Sequence, residues 1–232
     1  MNRKLFLLCV LIYGLSSCSD DESGGLNSYD RSVIDYFSEI ALGFEFGSGD
    51  EITRKWDIDM KIFVGGNKKA ELMNELQSII AEINGLATDG FRMSIVTDSL
   101  QSDFYIFLGT GEDYGEKYPA ESYLVASNYG LFAVYWDMSN HFYNGHMYVD
   151  IVRAEVAAQK HLLREELTQS LGLAKDSQLY PKSIFQSAWT TTNTYENIDR
   201  DLIRLLYHPQ MEVGLKKTQV EELLTQIIIS EK

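Results

Sequence analysis

Apolar residues recur at two spacings along this chain, and each spacing predicts a different element. Residues three or four apart are apolar in residues 29–41, 69–87, 195–207 and 218–229, which predicts helices. Alternating or β-branched apolar runs predict strands over residues 57–64, 91–97, 103–108, 131–136 and 146–152. This order favours an α+β domain, with a small mixed sheet packed on helices.

A further helix is predicted near residues 155–171, and it carries the most informative sequence, H-L-L-R-E-E-L-T-Q-S-L-G. At about 100° per residue, its polar positions fall on one face. That face is formed by His161, Glu165, Glu166 and Gln169. The opposite, apolar stripe is formed by Leu163, Leu167 and Leu171. We expect a half-buried helix whose polar face points into a cleft.

The polar face has the spacing of the zinc-peptidase helix H-E-x-x-H-x-x-G, in which two histidines bind zinc and the glutamate is the general base. Glu165 stands at the first histidine position and Gln169 at the second. Glu166 stands at the base position, and Gly172 at the glycine that ends the helix. In the longer motif, Lys175 takes the place of the third ligand. The frame is present, but its zinc ligands are replaced.

Four separated motifs occur in order over roughly residues 28–213. They are Y-F-S-E-I-A-L-G-F-E-F-G, R-E-E-L-T-Q-S-L-G-L, P-K-S-I-F and D-R-D-L-I-R-L-L-Y-H-P. Together they resemble a zincin-like bacterial family catalogued as domain of unknown function 2927. The resemblance implies a metallopeptidase-like fold without an assigned activity. It also implies that Phe185 forms a hydrophobic floor where related zinc peptidases have a methionine turn.

The replaced ligands decide the expected cofactor. Zinc takes about three protein ligands, from imidazole, thiolate or carboxylate. The amide of Gln169 is a poor ligand and Lys175 repels the ion, so we expect no metal cofactor. Glu166 is a candidate catalytic residue only. Two other interpretations stay open. Glu165, Glu166 and Gln169 could hold calcium or magnesium weakly through water. Alternatively the face is structural, with Gln169 bonded across the cleft and carboxylate ion pairs to Arg164, Lys175 or Arg200.

Three other sequence patterns give weaker indications of function. The glycine-rich residues 109–115 do not match G-x-G-x-x-G, no helical pattern follows them, and they are acidic, so a phosphate loop is excluded. His141 and His146 are predicted to be hairpin-loop residues, not a metal pair. The aromatic residues 118–148 favour strands with cross-strand contacts, and the alternative is a sugar- or peptide-binding platform. No motif such as G-x-S-x-G supports a serine nucleophile.

The N-terminus predicts export and lipidation. Residues 1–17 have a basic start and a short apolar core, typical of a signal peptide, and residues 15–18 resemble a lipobox that lipidates Cys18. Residues 18–28 form an acidic flexible tether and residues 29–232 the domain. The acidic run resembles the surface-export signal of Bacteroidetes lipoproteins, and the alternative is an ordinary solvated linker. Since Cys9 is removed and Cys18 acylated, no thiol remains for a disulfide.

The charge excludes one class of partner. The formal net charge is −14 at pH 7, and removal of Arg3 and Lys4 with residues 1–17 makes it −16. Such a field repels nucleic acid and anionic lipid, so the membrane is reached only through the lipid on Cys18.

These observations predict a lipid-anchored cell-envelope protein at the outer membrane, on its periplasmic or outer face. We expect a metallopeptidase-like fold that lacks zinc and activity and serves as a binding or accessory module. Its partner would be an extended peptide or an envelope protein, because strand addition to a sheet edge needs no metal. The first alternative is an active metal-dependent peptidase, with Glu166 as the base and unusual ligands such as Glu165 and His161. A second is a carbohydrate-binding envelope protein that uses the aromatic segment.

Overall fold

The computed structural model describes residues 25–46 and 49–232. The predicted signal peptide, Cys18 and most of the predicted tether lie outside these residues. The helices are α1 Ser28–Ala41, α2 Ala70–Leu86, α3 Gly111–Lys117, α4 Val156–Gln169, α5 Asn197–Leu206 and α6 Lys217–Ser230. The strands are β1 Lys55–Trp56, β2 Met60–Gly66, β3 Met93–Val96, β4 Phe104–Gly109, β5 Gly130–Trp136 and β6 His141–Asp150. A 3-10 turn covers Ser99–Gln101.

The six strands form one mixed sheet, as predicted, although most of its pairs are parallel. The order is β1-β6-β4-β2-β3, and β5 pairs with β6. Only the β5–β6 pair is antiparallel among the described pairs. Parallel strands need crossover connections, which here contain helices such as α2 between β2 and β3. The result is a mixed α/β fold in which β5 is an edge strand.

The sheet separates two apolar clusters. The larger cluster lies between one face of the sheet and the long helices, and includes Ile62, Phe104, Leu167 and Leu202. A small cluster on the other face contains Tyr114, Leu131 and Tyr148. Since α3 contacts β4 and β6, it covers part of this second face. Side chains of a strand alternate between the faces, so each of the central strands serves both clusters.

Two local predictions were wrong. The glycine-rich residues after β4 begin helix α3, where the Thr110 hydroxyl accepts a hydrogen bond from the Asp113 backbone N–H (3.1 Å). The helix has seven residues, too few for a periodic pattern to be recognised. His141 and His146 belong to β6 and not to a hairpin loop. The turn lies earlier, at Asn140, which adopts a positive φ of 69°.

Across residues 25–46 and 49–232, no helix combines the length and the apolar character needed to cross a bilayer.

Candidate functional site

Helix α4 is the element on which the site is built. It packs against β5, β6 and α2, and ten of its fourteen residues are buried. The leucines of the predicted apolar stripe are all buried, which confirms that part of the prediction. The expectation of a half-buried helix was wrong, because the polar face is also covered. Residues around 45–46 and 186–189 lie over it and turn it into the floor of a pocket.

The end of α4 is fixed by contacts with distant parts of the chain. The Trp56 indole N–H donates to the carbonyl of Ser170 (3.0 Å), and the Tyr207 hydroxyl donates to that of Leu171 (3.0 Å). These side chains satisfy carbonyls that a helix end leaves without partners. Gly172 then turns the chain with a φ of 120°. This glycine confirms the predicted helix end.

The polar face of α4 lines a pocket of about 300 Å³. All four predicted residues of that face, His161, Glu165, Glu166 and Gln169, line it. The structure adds two carboxylates that the motif did not identify, Glu45 after α1 and Asp176 after the helix-ending glycine. Its apolar lining comes from Phe46, Leu131, Phe132, Leu162, Ala188 and Trp189. The pocket therefore combines acidic and apolar walls.

Glu166 is the most unusual group in the pocket. Glu166 is only 8% exposed. Within the described residues, its carboxylate nevertheless has no hydrogen bond or ion pair. The carboxylate approaches β5 closely, since a Cβ on Gly130 would lie 2.5 Å from Oε1. Burial, followed by the charges of Glu165 and Asp176, raises the pKa of Glu166 well above its ordinary value. Its oxygens are not among the fully enclosed unpaired atoms of the described residues, so they face the pocket, where a donor from a ligand can reach them.

His161 lies between two acceptors. Its Nδ1 lies 2.6 Å from the carbonyl oxygen of Thr192, and its Nε2 lies 3.3 Å from Oε2 of Glu165. This arrangement favours protonation of both ring nitrogens. Burial opposes this charge, but the hydrogen bond and the charge of Glu165 raise the pKa of His161. Both nitrogens are therefore directed at protein acceptors, which disfavours His161 as a metal ligand.

Gln169 bonds across the pocket, as predicted, and its partner is Asp176. The amide Nε2 donates to Oδ1 of Asp176 at 2.6 Å. Lys175, at the third ligand position of the motif, lies 3.8 Å from Glu51 instead. Asp176, one position after Lys175, therefore faces the pocket in place of the residue that the motif indicates. Burial and the nearby charges of Glu165 and Glu45 raise the pKa of Asp176 to about 7.

The donor set does not fit the zinc that the H-E-x-x-H frame holds in peptidases. His161 uses both nitrogens, and Gln169 turns its amino group towards Asp176. What remains are carboxylates, whereas zinc sites usually include imidazole or thiolate ligands. In the part of the chain that the structure describes, no group of three or more His, Cys, Asp or Glu side chains is placed to hold a metal ion. We therefore derive no metal-dependent step.

The predicted ion pairs of the α4 carboxylates were wrong. Arg164 points to the other side of the helix, where it pairs with Glu75 (3.2 Å) and Glu82 (3.0 Å) of α2. Arg200 also lies beside Glu82 (3.6 Å). Residues two apart on a helix lie on different faces, so Arg164 cannot reach the pocket beside Glu166. Because Arg164 and Arg200 pair with residues of α2, they do not neutralise the carboxylates of the pocket.

A second cavity, of about 240 Å³, continues from the first along β5. Both cavities are lined by Glu45, Phe46, Leu131 and Phe132. The far end is formed by Trp136, whose ring stacks on Phe44 with 5.2 Å between centroids. Together the two cavities form a groove, here called the β5 groove, that follows the edge strand.

The aromatic segment is largely engaged within the fold. Tyr118 stacks on His146 at 3.6 Å, and the Tyr114 and Tyr135 hydroxyls lie 2.8 Å and 3.1 Å from the two nitrogens of that ring. Burial, followed by the charge of Lys117, lowers the pKa of His146 to about 4, which keeps it neutral. These contacts favour the structural interpretation of the segment over a sugar platform.

We expect Glu166→Gln to stabilise the protein at neutral and higher pH. Because its folded-state pKa is raised, the fold favours the protonated form and loses stability as pH rises from the ordinary value of 4.5 towards the raised one. The groups facing Glu166 are Glu165 and His161 of α4, Glu45 and Asp176. Urea unfolding should give a higher free energy of unfolding for Glu166→Gln than for the parent protein at pH 8, and almost no difference at pH 4.

The control for this change is Glu222→Gln on the exposed face of α6, which removes the same charge at a residue that lines neither cavity beside β5. We expect it to change the free energy of unfolding by less than about 0.5 kcal/mol at both pH values. A destabilised Glu166→Gln at pH 8 would show that the carboxylate has a stabilising partner.

The fold and the pocket define an α/β protein with an acidic groove beside its edge strand. A family model described as "Protein of unknown function (DUF2927)" matches residues 30–226. The chain belongs to this family, which confirms the predicted membership. A comparison with curated proteins finds no match. The zincin-like character of the fold stays a prediction.

Proposed function

We propose that this protein is a lipid-anchored cell-envelope module that binds an extended peptide segment in the β5 groove, without a metal. The observation that carries the proposal is the edge of β5, which no other described strand pairs, beside a pocket that contains the buried Glu166 carboxylate without a partner in the described residues. The anchor itself is proposed from the sequence around Cys18. The peptidase alternative is disfavoured, because His161, its expected ligand, lies between two acceptors and the amide of Gln169 is bonded to Asp176.

Backbone groups on the free edge support strand addition. The Asp150 N–H donates to the carbonyl of Tyr129 (2.7 Å), just before β5. In an antiparallel pair, every second residue bonds the neighbouring strand, so Phe132 and Val134 direct their N–H and C=O groups away from β6. No other strand in the described residues pairs with β5. An extended peptide can therefore bond these groups.

Side chains along the groove give such a peptide places to dock. Alternate residues of an extended segment point the same way. One would enter the pocket above α4, and a residue two positions away would reach the apolar cavity that ends at Trp136. The exposed rings of Phe46, Tyr123 and Trp136 at the rim are large apolar surfaces of the kind that interfaces bury.

The proposal is tested with an array of immobilised hexapeptides, probed with the labelled protein. For each bound hexapeptide, N-methylation at successive positions should weaken binding at every second residue only, because only alternate N–H groups face β5. The loss of one hydrogen bond corresponds to a weakening of about three- to tenfold in Kd, and the methyl group adds steric repulsion.

A pair of protein variants checks that binding uses this groove. Trp136→Ala removes the end of the apolar cavity and should weaken the binding of the hexapeptides. Tyr143→Ala should leave their binding unchanged. Tyr143 is also exposed, at 53%, but lines neither cavity of the groove. An effect of N-methylation without alternation, or equal losses in both variants, would contradict strand addition at β5.

A further inference from the structure

We propose that the pocket above α4 is a specificity pocket for a lysine or arginine side chain of the bound peptide. This inference rests on the proposed function and names the residue that the groove selects. Two independent observations carry it. Four carboxylates line one pocket, and one of them, Glu166, is more than nine-tenths buried and has no partner in the described residues.

The carboxyl groups of the pocket are not balanced from within. Among the described lining residues, four carboxyl groups, Glu45, Glu165, Glu166 and Asp176, face one basic side chain, His161, whose ring already lies 3.3 Å from Glu165. Burial raises the pKa of Glu45, Glu166 and Asp176, so a bound cation would favour their ionised forms. Arg164 is directed to α2, and Lys175 lies beside Glu51 at the surface. A cation brought by a ligand would therefore be the first partner of Glu166.

The walls fit the stem of a long basic side chain. Lysine and arginine carry three or four methylene groups below a charged head, and they pack those groups on apolar surface. Phe132, Leu162 and Ala188 provide such surface in the pocket. The ring of Trp189, 65% exposed, stands at the rim, where a passing cation can interact with its face.

The geometry favours an organic cation over a metal ion. In residues 25–46 and 49–232 no three acidic or histidine side chains converge on one metal-sized point. The pocket volume of about 300 Å³ lies at the lower end of the range of roughly 300–1,000 Å³ for small-molecule sites. Carboxylates spread around such a volume can each accept a hydrogen bond from an ammonium or guanidinium group.

The test fixes one position of the hexapeptide array as lysine, arginine, norleucine or citrulline. Norleucine keeps the lysine stem without its charge, and citrulline keeps the shape of arginine without its charge. We expect lysine and arginine at one position to bind about 10- to 100-fold more tightly than their neutral counterparts, because a buried charged hydrogen bond is lost. Equal binding of charged and neutral residues would overturn this proposal alone. Failure of every hexapeptide to bind would overturn the proposed function as well.

The variant Glu166→Gln tests whether this carboxylate causes the preference for a basic side chain. Glu166→Gln should lower the ratio of lysine to norleucine binding by about tenfold or more, whereas Glu222→Gln should keep that ratio. If Glu166→Gln weakened both peptides equally, Glu166 would only support the groove, and the proposal would be wrong. Calorimetric titration with zinc chloride and calcium chloride completes the test. Stoichiometric binding of either ion that Glu166→Gln abolishes would assign the pocket to a metal and overturn the proposal.

Discussion

Replacement of Gly172 by alanine is expected to destabilise the protein by about 4 kcal/mol. Gly172 has a φ of 120°, which side-chain-bearing residues rarely adopt. A Cβ there would also overlap the carbonyl oxygen of Arg54, a backbone atom that cannot move aside alone. Residues 54–56 would have to shift, and the bond from Trp56 to the end of α4 would be lost with them. Urea unfolding of both proteins measures the difference.

Gly85→Ala is the matched control for this change. Gly85 lies in α2, and a Cβ built there meets no atom within 4 Å. Alanine is the better helix former, so this variant should be more stable by about 0.5–1 kcal/mol. The same substitution thus has opposite signs at the two glycines. Unchanged stability of Gly172→Ala would mean that the turn after α4 is not held against β1.

Asp199→Ala is expected to have the second-largest effect, a loss of about 3 kcal/mol or more. The Asp199 side chain is fully buried and accepts hydrogen bonds from the Ser183 hydroxyl (2.6 Å) and from the backbone N–H groups of Ile184 (3.1 Å) and Glu196 (3.0 Å). Removal of the carboxylate leaves the backbone N–H groups of Ile184 and Glu196 without an acceptor and removes one partner of the Ser183 hydroxyl, which keeps Tyr36 at 2.8 Å. Each buried donor without an acceptor costs about 1–3 kcal/mol. Thermal and urea unfolding should both report the loss.

Asp201→Ala provides the comparison on the same helix. Its side chain is 28% exposed and pairs with Arg204 at the surface, so its removal should cost about 1 kcal/mol or less. Asp199 also fixes the chain that forms one wall of the pocket, because Ser183 and Ile184 precede residues 186–189. We therefore expect Asp199→Ala to weaken hexapeptide binding as well. Equal stability of the two variants would contradict the role of Asp199 as an anchor.

Apolar periodicity predicted the long helices well because each of them buries one face. Helices α1, α2, α5 and α6 agree with the predicted ranges within one or two residues. The short helix α3 was missed, since two turns are set by local capping and tertiary contacts. The parallel arrangement of the strands also could not be read from the sequence. Strand order depends on crossovers between distant segments, and no local pattern records it.

The site was predicted in part. Helical spacing brought Glu165, Glu166 and Gln169 to one face, and the structure places all of them in one pocket. Glu45 and Asp176 were missed as members, although Glu45 lies within a motif used for the resemblance and Asp176 is one residue after Lys175. The direction of a side chain in a loop depends on the fold around it. Neither position could have been selected without the tertiary structure.

By itself the sequence determined the family, the positions of the long helices and the polar face of α4, because motifs and helical periodicity are local properties of the chain. Only the tertiary structure decided which charges meet. It turned Arg164 towards α2, closed His161 between Thr192 and Glu165, and left Glu166 buried without a partner. The strength of an electrostatic interaction depends on distance and burial, and both are set by segments that are far apart in the sequence.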